Sequence, residues 1–280
     1  MRIGFHISIS GSLPQAIERA KKLRCSTMQI FSRNPRGWKL SRVESKEIEE
    51  FKEKRKKANI YPLFVHIPYL INLSSPERKL WEKSIKFFAE DLKFSELIGA
   101  DYLVTHLGSH KGRGEDFGEN RFIEGLNRAM EKAKTEIRIL LENTAGQGNS
   151  IGYNFSQIKR IRDKIVKKEL IGLCFDTAHA FSAGYRINTE EGLDRTLEEL
   201  KDLGLLDILR LVHLNDTKVK LGLRIDRHED IGEGEIGKEG FRIILNHPEL
   251  KNLSFIMETP RKSDSDDLRN LKTVLELISK

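Results

Sequence analysis

Short apolar runs alternate along this chain with longer segments whose apolar residues recur every three or four positions. A run of four to six mostly apolar residues fits a strand buried on both faces, and a period near 3.6 fits a helix that buries one stripe. The runs fall at Arg2–His6, Thr27–Phe31, Leu63–Ile67, Tyr102–His106, Ile137–Glu142, Ile171–Asp176, Leu209–Leu214 and Ser254–Glu258. Helical patterns lie between them, at Leu13–Leu23, Ser45–Lys57, Pro76–Ile98, Arg121–Lys134, Phe155–Ile165, Glu190–Leu203, Lys238–Asn246 and Asp267–Ile278. Strict alternation of this kind, with right-handed crossovers, predicts an α/β protein built on parallel strands. Eight repeats favour a closed (β/α)8 TIM barrel over an open doubly wound sheet, and such a barrel carries its active site at the C-terminal mouth of the strands.

No Pro/Gly/Ser-rich linker or low-complexity stretch interrupts the pattern, so residues 1–280 are expected to form one barrel domain. Hydrophobic residues at 38% and charged residues at 32% supply a sizeable core beneath a charged surface. No segment approaches the roughly 20 apolar residues that span a bilayer, and the opening MRIGFHISISGSLPQ lacks a signal-peptide core. A cytoplasmic protein without a membrane partner is expected. Cys25 and Cys174 lie far apart in apolar runs, which predicts buried free thiols and leaves any metal to other ligands.

A Walker-type loop and a strand-linked GxGxxG are both absent, and Gly232–Gly237 follows a charged loop, which argues against nucleotide binding. The 49 Lys and Arg residues against 42 Asp and Glu give a net charge of +7. This balance is compatible with a polyanionic partner, although runs such as Lys52 to Lys57 read as solvated helix faces.

The polar residues change the picture most. Six consecutive strand candidates, from the third onward, end in a potential metal ligand: His66, His106, Glu142, Asp176, His213 and Glu258. In a barrel all six converge on the mouth. A single histidine there would be an ordinary hydrogen-bonded rim residue, but a cluster containing three carboxylates would repel itself once desolvated. Divalent cations resolve that conflict. Imidazole with carboxylate and no thiolate suits catalytic zinc, with manganese or iron as alternatives. His179, three residues beyond Asp176, and the pair Asp226 and His228, one residue apart in an extended segment, extend the cluster to a further metal position.

The fragments GFHIS, FSRNPRGW, VHIPYLINL, THLGSHKG, LLENTAGQG, GLCFDTAHAFSAGY, HLNDTKVKLGLRIDRHEDIGEGEIG and IMETP, in this order, resemble the endonuclease IV family of apurinic/apyrimidinic endonucleases over nearly the whole chain. The resemblance implies a TIM barrel holding three zinc ions. His66 and His106 would bind one ion with Glu142, whose carboxylate would bridge to a second. Asp176, His213 and Glu258 would complete that second site, and His179, Asp226 and His228 would hold the third ion. Glu142 and Glu258 would be the catalytic carboxylates. Arg36 would enter the duplex at the lesion, Tyr69 would occupy or prop the gap beside it, and Arg227 would contact a phosphate. Ser12, Ala178 and Leu223 depart from the family pattern at positions that are not ligands.

The activity so implied is base-excision repair: hydrolysis of the phosphodiester 5′ to an abasic site in duplex DNA, by a monomer, leaving a 3′-hydroxyl and a 5′-deoxyribose phosphate. A metal-dependent sugar isomerase or epimerase on the same barrel is the competing reading, and explains the third ligand set poorly. A non-catalytic DNA-binding protein would account for the basic charge but not for nine ligand-type residues.

Overall fold

The computed structural model describes residues 1–39, 43–260 and 263–278. Eight parallel strands form one sheet: β1 (Arg2–Phe5), β2 (Met28–Phe31), β3 (Leu63–His66), β4 (Tyr102–Thr105), β5 (Arg138–Glu142), β6 (Ile171–Asp176), β7 (Leu209–His213) and β10 (Ser254–Met257). Their spatial order, β1-β10-β7-β6-β5-β4-β3-β2, is the sequence order taken around a ring. The ring closes where β1 meets β2. There His6 and Gln29 form a parallel bridge, the Ile7 amide donates to the Gln29 carbonyl at 2.7 Å, and the Ser26 amide donates to the Ile3 carbonyl at 2.9 Å. Gly4 permits this approach, since a Cβ there would stand 1.9 Å from the Thr27 carbonyl oxygen. The expected (β/α)8 barrel is therefore observed.

Around the strands lie α1 (Leu13–Lys22), α2 (Ser45–Lys57), α3 (Arg78–Leu97), α4 (Glu115–Ala133), α5 (Phe155–Asp163), α6 (Thr177–Ala183), α7 (Glu190–Asp202), α8 (Gly237–Asn246) and α9 (Asp264–Leu277). The main core lies where their apolar stripes meet the outward side chains of the strands. A second, smaller core of Phe64, Val104, Leu140, Cys174, Leu211 and Ile256 takes one residue from each of six strands and plugs the barrel.

Three elements differ from the sequence expectation. Helix α4 begins at Glu115 rather than Arg121, with Glu115 and Asp116 in its first turn, where the helix dipole favours acidic side chains. Helix α6 was not anticipated: seven residues are too few to show a period, and it starts because the Asp176 carboxylate caps the His179 amide at 2.7 Å. A two-stranded antiparallel ladder, β8 (Asp216–Thr217) with β9 (His228–Glu229), fastens the charged loop after β7. Cys25 and Cys174 are both buried and free. Among the described residues no helix is long and apolar enough to cross a membrane.

Candidate metal centre

The two-residue period of a strand builds the centre. Each plug residue is followed, two positions on, by a polar side chain on the same face: Phe64 by His66, Val104 by His106, Leu140 by Glu142, Cys174 by Asp176, Leu211 by His213 and Ile256 by Glu258. The apolar layer thus forms the floor beneath the polar one. Glu142, Asp176 and His213 are fully buried.

Glu142 lies at the junction of two donor sets. Its Oε2 is 3.0 Å from His66 Nε2 and 3.2 Å from His106 Nε2, while its Oε1 is 3.2 Å from His213 Nδ1. His213 Nδ1 is in turn 3.8 Å from Asp176 Oδ2 and 3.4 Å from Glu258 Oε2. Donor atoms of His66, His106 and Glu142 lie within 4.8 Å of one another, as do those of Glu142, Asp176, His213 and Glu258. A third group joins His179 and His228 with Asp176 by the same measure. Asp226 spans the two histidines, with Oδ2 3.3 Å from His179 Nε2 and Oδ1 3.3 Å from His228 Nε2. The nine residues singled out in the sequence are therefore neighbours.

The local hydrogen bonds orient the rings. His66 Nδ1 donates to the Ile67 carbonyl at 2.7 Å, His179 Nδ1 to the Asn143 carbonyl at 2.9 Å and His228 Nδ1 to the Glu258 carbonyl at 3.1 Å. Each turns Nε2 toward the cluster. His228 Nε2 is buried without a hydrogen-bond partner. Burial acts to raise the Glu142 carboxyl, but His106 and His213 outweigh it and hold the group well below the usual carboxylate range. Burial acts to lower His179, and Asp176 with the other neighbouring carboxylates lifts it well above an ordinary histidine.

Among the described residues no Lys or Arg pairs with Glu142, Asp176 or Glu258, so the carboxylates have only imidazoles as counter-groups. Such a donor set fits divalent cations. Cys174 also lies within reach of Glu142 and His213, and burial pushes its thiol up to about 12.

The residues expected to meet DNA stand at the same end. Tyr69 is 64% exposed, and its ring packs edge-on against Phe31 at 5.4 Å, with Phe31 in turn 5.7 Å from His66. Arg36 is exposed on the loop after β2, and Arg227 is exposed between Asp226 and His228. A cleft of about 210 Å³ opens beside the cluster, lined by Tyr69, His106, Ser109, Gln147, His179 and Asp226.

Sequence reasoning missed several supporting residues. His6 Nδ1 lies 3.0 Å from Glu258 Oε1, and Asn215 Nδ2 donates to Asp176 Oδ2 at 2.8 Å. The Asp216 carboxylate accepts from the amides of Gly232, Gly234 and Ile236 at 2.9–3.0 Å. His6 was detectable as a further polar residue closing a strand-like run; a lone Asn or Asp in a loop carries no such signal.

Residues 17–280 match the family model described as xylose isomerase-like TIM barrel. The D-psicose 3-epimerase structure from Clostridium cellulolyticum shares this fold, with TM-score 0.70, 16% identity and the whole of both chains covered. A probable endonuclease 4 from Halothermothrix orenii is 48% identical over 266 residues, covering 95% of this chain and 96% of the relative. The endonuclease IV crystal structure from Thermus thermophilus superposes with TM-score 0.89 and 34% identity, over 99% of this chain and 98% of that one. The epimerase likeness thus extends to the barrel alone, whereas the endonuclease likeness extends through sequence and fold together, and the chain belongs to the endonuclease IV family.

Proposed function

We propose that this protein is a zinc-dependent apurinic/apyrimidinic endonuclease of base-excision repair. It hydrolyses the phosphodiester 5′ to an abasic site in duplex DNA and leaves a 3′-hydroxyl and a 5′-deoxyribose phosphate. The observation that carries the reading is the position of Glu142, one oxygen facing His66 and His106 and the other facing His213. Three zinc ions would be held by His66, His106 and Glu142, by Glu142, Asp176, His213 and Glu258, and by His179, Asp226 and His228. Divalent cations at such a cluster activate water at neutral pH and neutralise charge on the phosphoryl oxygens.

The side chains do the remaining work. Glu142 and Glu258 supply the carboxylate charge that fixes the spacing of the cluster. Tyr69 and Arg36 occupy the gap left by the missing base, where a lost stacking partner lowers the cost of distortion. Arg227 holds a backbone phosphate beside the third set. The whole chain acts as one nuclease domain, as a monomer in the cytoplasm.

Elemental analysis beside a cleavage assay tests the proposal. About three zinc ions per chain and multiple-turnover cutting of an abasic duplex, with no conversion of aldose or ketose sugars, are expected. Full activity with one tightly bound ion, or failure to cut the abasic duplex, would refute it.

A further inference from the structure

Gln29 is a buried amide in the otherwise apolar strand β2, and it touches two members of the cluster at once. Its Oε1 accepts from His213 Nε2 at 2.8 Å, and its Nε2 donates to Glu258 Oε1 at 2.7 Å. The amide has one workable orientation. A carboxylate offers only acceptors, so the NH2 group faces Glu258 and the carbonyl oxygen faces His213.

Two consequences follow for the partners. An acceptor at His213 Nε2 requires a proton there, which leaves Nδ1 as the nitrogen toward the cluster, 3.2 Å from Glu142 Oε1 and 3.4 Å from Glu258 Oε2. Glu258 Oε1 is occupied by Gln29, with His6 Nδ1 also 3.0 Å away, so Oε2 is the oxygen left to face inward. The barrel seam keeps the amide in place, because the Gln29 carbonyl takes the Ile7 amide at 2.7 Å and the strand is bridged to His6.

We propose that Gln29 is a positioning residue for the cation held by Glu142, Asp176, His213 and Glu258, selecting the His213 tautomer and making Glu258 a one-oxygen ligand. This rests on the reading of the cluster as a metal centre. An apolar side chain of the same size would leave the buried His213 N–H without its acceptor and Glu258 Oε1 with His6 Nδ1 alone.

The test uses apoprotein reconstituted with Co2+, for wild type, Gln29→Met and Gln29→Glu, followed by visible absorption and chelator competition. In Gln29→Met one ion is held about 10- to 100-fold more weakly and its absorption bands change, while the other ions are unaffected. Single-turnover cleavage falls with the loss of that ion, and affinity for abasic duplex stays at the wild-type value. Gln29→Glu keeps the acceptor for His213 but sets a negative charge against Glu258, so the same ion weakens. If Gln29→Met does not fold, Gln29→Glu alone decides. Wild-type affinity and spectrum in the folded variants overturn the inference while leaving the metal-centre reading intact. A wild-type protein that takes up no Co2+ removes both.

Discussion

Arg33 and Asp91, 58 positions apart, form an ion pair buried at both ends. Arg33 Nε donates to Asp91 Oδ1 at 3.0 Å, while Nη1 donates to the Trp38 carbonyl at 2.6 Å and Nη2 to the Phe87 carbonyl at 3.2 Å. The guanidinium therefore ties the loop that carries Arg36 to helix α3. Burial pushes the Asp91 carboxyl up to about 6 against the pull of Arg33, so desolvation outweighs the attraction. What the pair supplies is loop position more than net stability.

That shift fixes a pH dependence. A carboxyl raised in the folded state binds its proton more tightly there than in the unfolded chain. Its contribution to stability is complete below the unfolded value of 3.8 and is lost as pH rises through about 6. Asp91→Asn removes the titration. Between pH 4 and pH 7 the stability of the variant relative to wild type should rise by about 2–3 kcal/mol, read from urea unfolding across that window. A difference that stays constant with pH would show that Asp91 has no such shift.

Tyr69 and Arg36 stand exposed at the mouth, outside the nine clustered residues. Tyr69→Ala and Arg36→Ala should each weaken binding of an abasic duplex by roughly tenfold, with metal content unchanged, because a stacking or gap-filling side chain is lost. Binding of wild type should also weaken as salt rises, through release of counterions. Normal affinity in both variants would mean that DNA enters elsewhere.

Glu142→Ala should lower single-turnover cleavage by roughly a thousandfold or more, since placement and charge stabilisation fail together. Affinity for the abasic duplex should change far less. His66, His106 and His213 remain, so part of the metal should be retained, measured on the same sample. Near-normal cleavage would refute the bridging assignment.

Asp216 holds the loop after β9 by accepting backbone amides from Gly232, Gly234 and Ile236. Asp216→Ala leaves these donors without their acceptor, at a cost of about 1–3 kcal/mol or more in unfolding free energy. The loop follows directly from His228, so the third set should lose affinity for its ion before the other two. Unchanged stability together with unchanged metal retention would exclude this role.

Much of the architecture was legible along the chain. Apolar runs alternating with helical periods identify the strands of the barrel, and period two places His66, Glu142 and His213 over Phe64, Leu140 and Leu211. Those are local properties, which neighbouring residues dictate. Helix α6 escaped because its start depends on one side chain, Asp176, capping its own next turn.

Only the closed barrel decided the rest. One Gln within Met28–Phe31 signals nothing until β1, β10 and β7 bring His213, 184 positions away, and Glu258, 229 positions away, to its two ends. Arg33 likewise finds Asp91 only when α3 packs behind the loop after β2. Propensity and period act over a few residues, whereas the partners of a buried polar group are chosen by whichever distant strands the ring closure sets beside it.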